Sequence, residues 1–287
     1  MAAIDRPLET AAALSEQFRK DGVVFLKRAL DQQSLDLLRG VYEYDMSHPS
    51  PGARKVYPET GATFHIDTFN QANWPAFKEA VDRTPVADIV SALWGVPEVW
   101  FFYEQVFLKE GGDMRRTPWH QDSSYLPVDG DHQAVVWITF DAVSRENALE
   151  FIPGSHRGKQ YNTSAFDPAD DTAPGIANAA LERLPDIEAA RSEWEIRGWD
   201  YEPGDLLVFH MGMLHGGAPT RAGGRRRTVS LRFFGPDAVY QPRTVPSDDA
   251  DEQERAAVAS FAAGMKPGQP FRSPIFPKVR PLPSTGW

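Results

Sequence analysis

Two segments of the chain set a histidine and an aspartate two residues apart, His65-Ile66-Asp67 and His120-Gln121-Asp122. With 7 His and 40 acidic residues in 287 positions, chance alone supplies about one such triplet, so context must decide between them. His120 and Asp122 directly follow an aromatic, strand-like run. In an extended segment residues i and i+2 face the same side, so both side chains can reach one ion. A third ligand has to come from elsewhere, and the best candidate is His215, where GDLLVFHMG runs into the turn HGGAP. Two imidazoles and one carboxylate leave three positions open on a metal, the donor set of non-haem Fe(II) oxygenases. The competing reading leaves His120 and His215 as ordinary hydrogen-bonding residues of a loop and a turn. The chain has no Cys, so thiolate sites, disulfides and iron–sulfur clusters are excluded, and any metal rests on His and carboxylate.

Eleven residues past His215 stands Arg226, in the cluster Arg225-Arg226-Arg227 that opens RTVSLRFFG. Strand alternation sends Arg226 to one face with Thr228 and Ser230, and Arg225 and Arg227 to the other. An arginine aimed into a barrel mouth beside a metal is a buried cation in need of a partner. A dicarboxylate cosubstrate fits, because the guanidinium fork grips a carboxylate through two nitrogens. Alone, such a cluster reads as a solvated run; its offset from His215 argues otherwise.

The elements that must position these residues follow from periodicity. Helix-like spacing covers 8–21, 31–45 and roughly 75–94, with the short strand VVFLK at 23–27 between the first two. From residue 98 the texture changes to short aromatic and β-branched runs broken by Gly, Pro, Asp and Asn, as in a sandwich or barrel. Residues 157–200 interrupt the strands as a polar surface insertion with a helix-like stretch around 178–192. Nine of the 24 prolines fall in the last 52 residues, so the tail is expected to wrap the body around one helix near 251–264. The organisation expected is one domain over 1–287: a helical lobe (1–97), an antiparallel double sheet (98–235) and a proline-rich wrap (236–287).

Composition narrows the function classes. A net charge of −10 repels phosphate backbones, which argues against nucleic-acid binding. No apolar run approaches the roughly 18 residues of a membrane span, and MAAIDRPLET lacks a signal-peptide core. The expectation is a cytoplasmic protein, a monomer or homodimer, acting on a small molecule without nucleic-acid or membrane partners.

The segments DGVVFLKRALD, PWHQDSSY, VVWITFDAVSRENALEFIPGSH, EPGDLLVFHMGMLHGGAP and RRRTVSLRFF together resemble the phytanoyl-CoA dioxygenase family of Fe(II)/2-oxoglutarate oxygenases. The resemblance spans roughly residues 20–235 in the family's order and spacing. It implies a mainly β chain with flanking helices and a double-stranded β-helix (jelly-roll, cupin-like) core. It further implies Fe(II) on His120, Asp122 and His215, with 2-oxoglutarate and O2 as cosubstrates and succinate and CO2 as products. Arg226 would hold the far carboxylate of oxoglutarate, Trp137 would line that site, and Gln105, which matches a Gln in the preceding strand, would be a further cosubstrate-binding residue. Asp122 occupies the position that related halogenases give to Gly or Ala, which favours hydroxylation or another oxidation. The family's serine two residues after the distal histidine is Gly217 here, leaving Thr228 or Ser230 as replacement contacts.

His65 and Asp67 lie where the family varies, as substrate-proximal or structural residues. Tyr125, Tyr103 and Phe151 are candidates for the substrate pocket. His48, His132, His156 and His210 have ordinary structural readings. Two other function classes stay open: an oxoglutarate-independent metal lyase or isomerase, and a non-catalytic module that binds oxoglutarate.

Overall fold

Asp31 caps the longest helix by accepting a hydrogen bond from the Ser34 amide at 2.7 Å, which satisfies one of the donors a helix start leaves open. The computed structural model describes residues 6–56, 62–112, 115–162, 170–173, 181–217, 219–220, 224–243 and 264–282. Its helices are α1 (Pro7–Ala13), α2 (Ser15–Asp21), α3 (Gln32–Ser47), α4 (Trp74–Arg83) and α5 (Val86–Trp94).

Two of the expected helices are divided. The one over 8–21 breaks at Leu14, and the one over 75–94 breaks at Thr84-Pro85. Proline disfavours helical backbone in the residue before it, and Thr84 is extended (φ −116°, ψ 161°). Gly22 ends α2 in the left-handed region (φ 74°), where a Cβ would collide with His156 and Met213. The described part of 178–192, from 181 on, forms turns leading into a 3-10 turn at Arg191–Glu193, not an α-helix. Leu184 and Ile187 of this segment pack with Trp119, Ile152 and Leu214. The helix expected near 251–264 falls outside the described residues, apart from Gly264 in a turn.

The strands are β1 (Val23–Leu26), β2 (Arg54–Lys55), β3 (Thr63–Thr68), β4 (Val99–Glu110), β5 (Thr117–His120), β6 (Val128–Asp129), β7 (Gln133–Thr139), β8 (Leu149–Phe151), β9 (Leu206–Phe209), β10 (His215–Gly217), β11 (Arg225–Phe234), β12 (Val239–Tyr240) and β13 (Lys278–Arg280). They form a large antiparallel sheet in the order β1-β9-β7-β11-β4-β3-β2, with β13 also on β4, and a small sheet β5-β10-β8. A further pair joins β6 and β12. The fold is mainly β with flanking helices, a double-stranded β-helix as expected.

Both faces of the central strands β7 and β9 are covered, which explains their unbroken apolar runs. Val136, Ile138, Leu206, Val208, Val229 and Leu231 pack toward the helices. Val135, Trp137, Leu207 and Phe209 alternate with them and face the second core, where Phe151 of β8 meets Phe209 at 5.0 Å. β11 departs from this pattern. Its inward positions Arg226, Thr228, Ser230 and Arg232 are polar and buried. A strand that turns its polar residues inward has a site to build.

Where the helices meet the sheet, three carboxylates are buried: Asp45, Asp67 and Glu104. Asp67 is satisfied by the Ser50 and Thr68 amides and the Ser50 hydroxyl. Asp45 accepts from Asn73, but its Oδ2 has no partner. Burial raises its pKa to about 6, against the hydrogen bonds from Asn73 and Asn70. Burial raises Glu104 in the same direction. Because the folded state holds the Asp45 proton more tightly than the unfolded chain, where Asp titrates near ~3.9, its contribution to stability declines as pH rises through about 4 to 6. Asp45→Asn is therefore expected to flatten the change in melting temperature between pH 4 and 6 and to raise it at pH 7. An unchanged slope would mean that Asp45 titrates normally.

Candidate metal and cosubstrate site

His215 sits opposite His120 in the β10–β5 ladder and opposite Phe151 in the β10–β8 ladder. The two imidazole centroids are 4.2 Å apart. In each ring Nδ1 faces a backbone carbonyl, Pro118 O at 2.9 Å for His120 and Met213 O at 3.0 Å for His215. A carbonyl only accepts, so Nδ1 carries the hydrogen and Nε2 the lone pair. Both Nε2 atoms point at Asp122 Oδ1, at 3.6 and 4.0 Å. The ligand atoms of the three buried residues all lie within 4.8 Å of one another, so one ion can bind to all of them. Fixing the tautomer through the second ring nitrogen is how proteins orient metal-binding histidines.

Electrostatics match that donor set. Burial, reinforced by His120, lowers the His215 pKa to about 3, and burial also lowers that of His120, so both imidazoles are neutral at pH 7. Burial alone would raise Asp122, but Arg232, the two histidines and the Tyr125 hydroxyl together hold it well below the usual carboxylate range. Arg232 grips Asp122 Oδ2 with Nη2 at 2.9 Å and Nε at 3.2 Å, while Tyr125 donates to Oδ1. The carboxylate is thus ionised and turned with Oδ1 toward the histidines.

The cosubstrate candidates lie on the inner face of the large sheet. Arg226 is buried, donates to Asn147 O at 2.6 Å, and stands 5.9 Å from the Trp137 ring. Its Nε is buried without a partner, and no described carboxylate pairs with it. Burial brings its pKa down to about 10, so it stays charged at neutral pH. A buried cation with an orphaned donor suits a carboxylate ligand. Trp137 meets Tyr201 edge-on at 4.9 Å, and the Tyr201 hydroxyl is also buried without a partner. Gln105 accepts from Arg232 Nη2 at 3.0 Å, so its contact is with the arginine that fixes Asp122.

Asp67 is consumed by the Ser50 turn, and His65 leaves Nε2 buried and unpaired on β3. Thr228 and Ser230 are buried on the inner face, but the hydroxyl beside Gly217 belongs to Thr117: a Cβ on Gly217 would lie 3.1 Å from Thr117 Oγ1. Tyr125 and Tyr103 serve the Asp122–Arg232 pair, with the guanidinium 4.7 Å from the Tyr103 ring. Phe151 stacks beside His215 at 5.9 Å. Sequence reasoning missed Arg232, Thr117, Tyr201 and Lys109, whose ammonium donates to Thr117 Oγ1 at 3.0 Å. For Arg232 a signal existed, since the alternation that turns Arg226 inward turns Arg232 inward as well.

A jelly roll carrying two histidines and one carboxylate at the adjoining strands β5 and β10 has the make-up of a cupin-like metal protein. The family model described as phytanoyl-CoA dioxygenase (PhyH) matches residues 18–228, and the chain belongs to that family. A probable phytanoyl-CoA dioxygenase of Caenorhabditis elegans is 26% identical over 175 residues, covering 58% of this chain and 53% of the relative. The human peroxisomal phytanoyl-CoA dioxygenase is 27% identical over 153 residues, 52% of this chain and 42% of that protein. The chain thus spans about half the length of the curated relatives it matches. Among solved structures, the epimerase SnoN in complex with Fe3+, alpha ketoglutarate and nogalamycin RO shares the fold, with TM-score 0.69, 18% identity, and coverage of 95% of this chain and 99% of that one.

Proposed function

We propose that the chain is an Fe(II)- and 2-oxoglutarate-dependent oxygenase that hydroxylates a C–H bond of a small or medium metabolite, consuming O2 and releasing succinate and CO2. The observation that carries this reading is the convergence of two neutral, Nδ1-anchored imidazoles on one ionised carboxylate oxygen. His120, Asp122 and His215 would hold Fe(II), which with oxoglutarate and O2 supplies the oxidising chemistry. Arg226 would pair with the far carboxylate of oxoglutarate, Trp137 would wall that site, and Gln105 would act through Arg232.

The chain's own work is positioning. Pro118 O and Met213 O keep the imidazoles in one tautomer and one orientation. Arg232 and Tyr125 keep Asp122 ionised and aimed. The apolar inner face around Trp137, Leu207 and Phe209 excludes water from the reacting centre. Among the described residues no helix is long and apolar enough to cross a membrane. The net charge of −10 disfavours a nucleic-acid partner and fits a small-molecule substrate.

Decarboxylation of 2-oxoglutarate with Fe(II), screened against metabolite pools for compounds that accelerate it, tests the reading, and mass analysis of the product should show one added oxygen. Metal binding with no oxoglutarate consumption would favour a lyase or isomerase. Oxoglutarate binding that no metabolite couples to turnover would favour a binding module. Within the proposal, Arg226→Leu is expected to raise the oxoglutarate KM by about 10-fold or more, the scale of a charge-assisted pair, with a smaller change in kcat. An unchanged KM would move the clamp away from Arg226.

A further inference from the structure

Asp122 opens a 3-10 turn, Asp122–Ser124, that closes on its own carbonyl, which accepts from the Tyr125 and Leu126 amides at 3.2 and 3.0 Å. So short a turn leaves the carbonyls that follow without partners inside it. They are collected by the side chain of Arg243, 120 positions beyond Ser123. Its Nε–H is shared between Ser123 O at 2.9 Å and Leu126 O at 3.1 Å. Nη2 donates to Val128 O at 3.4 Å and to the Asp129 carboxylate. The Arg243 side chain is 9% exposed, whereas Asp129 is half-exposed. Backbone pairing brings Arg243 there: β12 runs against β6, and the Gln241 amide donates to Pro127 O at 3.1 Å. On its other side the turn is tied by the Ser123 amide to Met211 O at 3.0 Å, two residues before the carbonyl that anchors His215.

Desolvating a guanidinium is unfavourable, and one half-exposed carboxylate offsets it only in part. What the arrangement gains is geometry, since the planar fork fixes three carbonyls at once. Resting on the reading of this centre as an iron site, we infer that Arg243 is a positioning residue of the metal centre, through which the proline-rich segment after the core holds the Asp122 turn in place. The Tyr125 hydroxyl donates to Asp122 Oδ1, the oxygen that both imidazoles face, and the turn carries both residues. Without the guanidinium, the Ser123, Leu126 and Val128 carbonyls turn to water, and Tyr125 and the carboxylate move with them. Arg232 acts on the Asp122 side chain from the sheet; Arg243 acts on its backbone from the wrap.

The test measures Fe(II) affinity under nitrogen, by competition with a chromogenic chelator, and the melting temperature of the metal-free protein. Wild type, Arg243→Ala, Arg243→Lys and Arg272→Ala are compared. Arg272 is the control. In the same C-terminal segment it lies 3.7 Å over the Trp100 ring and donates to the Phe271, Gly235 and Pro236 carbonyls, none of them in the Asp122 turn. Arg243→Ala is expected to weaken Fe(II) binding by about 10-fold, the lower end for partners that orient metal ligands. Arg243→Lys keeps a charge beside Asp129 but cannot span three carbonyls, so it should regain melting temperature and little of the iron affinity. Arg272→Ala should lower the melting temperature and keep the wild-type Fe(II) Kd.

An unchanged Fe(II) Kd in Arg243→Ala overturns the inference and spares the oxygenase reading. Equal losses of iron affinity in Arg243→Ala and Arg272→Ala would make Arg243 a residue of general stability and overturn it as well. Should Arg243→Ala fail to fold, Arg243→Lys decides against the same control, and a wild-type Kd there overturns the inference. A wild type that binds no Fe(II) overturns the oxygenase reading and this inference with it.

Discussion

His215→Ala and His120→Ala are each expected to abolish substrate-coupled succinate formation while leaving a folded protein. Both rings are neutral and buried at pH 7, so removing either deletes a donor without stranding a charge. Each also removes one of three donors from a set whose geometry needs all of them, and two ligands cannot hold the ion in a single orientation. The stability cost is that of a partly filled cavity and a lost hydrogen bond to Met213 O or Pro118 O, about 1–3 kcal/mol. Asp122→Ala should be equally inactive but less stable, because it leaves Arg232 buried without its anion. Succinate assays beside melting curves and bound-iron determinations check this. Full turnover in either histidine variant would refute the metal assignment.

Arg232→Leu is expected to lower stability by about 3–5 kcal/mol and to weaken Fe(II) binding by about 10- to 100-fold. Both side chains of the pair are almost wholly buried, at 4% and 1% exposure, so solvent screening does little. Removing the guanidinium leaves Asp122 as an uncompensated buried carboxylate. It also releases Oδ2, so the carboxylate can rotate away from the geometry that presents Oδ1 to the imidazoles. The loss of Asp122 ionisation has a defined sign. A carboxyl held low in the folded state contributes stability above its unfolded pKa, near ~3.9, and loses it as pH falls through the lower folded value. In Arg232→Leu that protection disappears and acid unfolding should begin at higher pH. Arg232→Lys, which keeps the charge but not the two-nitrogen grip, should recover part of the stability and less of the iron affinity. Equal iron affinity in wild type and Arg232→Leu would show that Asp122 is positioned by other contacts.

Much of the site could be read from residue types and spacing. The His-x-Asp pair, the distal histidine and the arginine 11 positions later stand out because polar groups interrupt apolar strands at positions that alternation turns inward. What anchors them could not be read. The carbonyls that fix the two tautomers belong to residues two positions upstream, whose direction depends on the local turn of the chain.

Lys109 and Gln105 illustrate a different limit. Register skips Phe102 between Tyr103 and Phe101, so a bulge inverts the parity of β4. Counting from Phe101, which faces the helices, simple alternation would send Gln105 and Lys109 outward. The bulge turns them into the site. At the fold level, strand texture announced the double sheet, whereas the breaks at Leu14 and Thr84-Pro85 were masked by apolar spacing that continues across them. The described part of the 178–192 stretch looked helical for a related reason. Leu184 and Ile187 are apolar because they pack with Trp119, not because they line one face of a helix.

The most direct test of the central claim is the visible spectrum of the protein reconstituted with Fe(II) and 2-oxoglutarate in the absence of O2. The weak charge-transfer band of a keto acid chelated to iron at a two-histidine, one-carboxylate site is expected. The band should be absent in His215→Ala and, at limiting oxoglutarate, diminished in Arg226→Leu. Iron that binds to the wild type with no such band at saturating oxoglutarate would contradict the account and make an oxoglutarate-independent metal enzyme the better description.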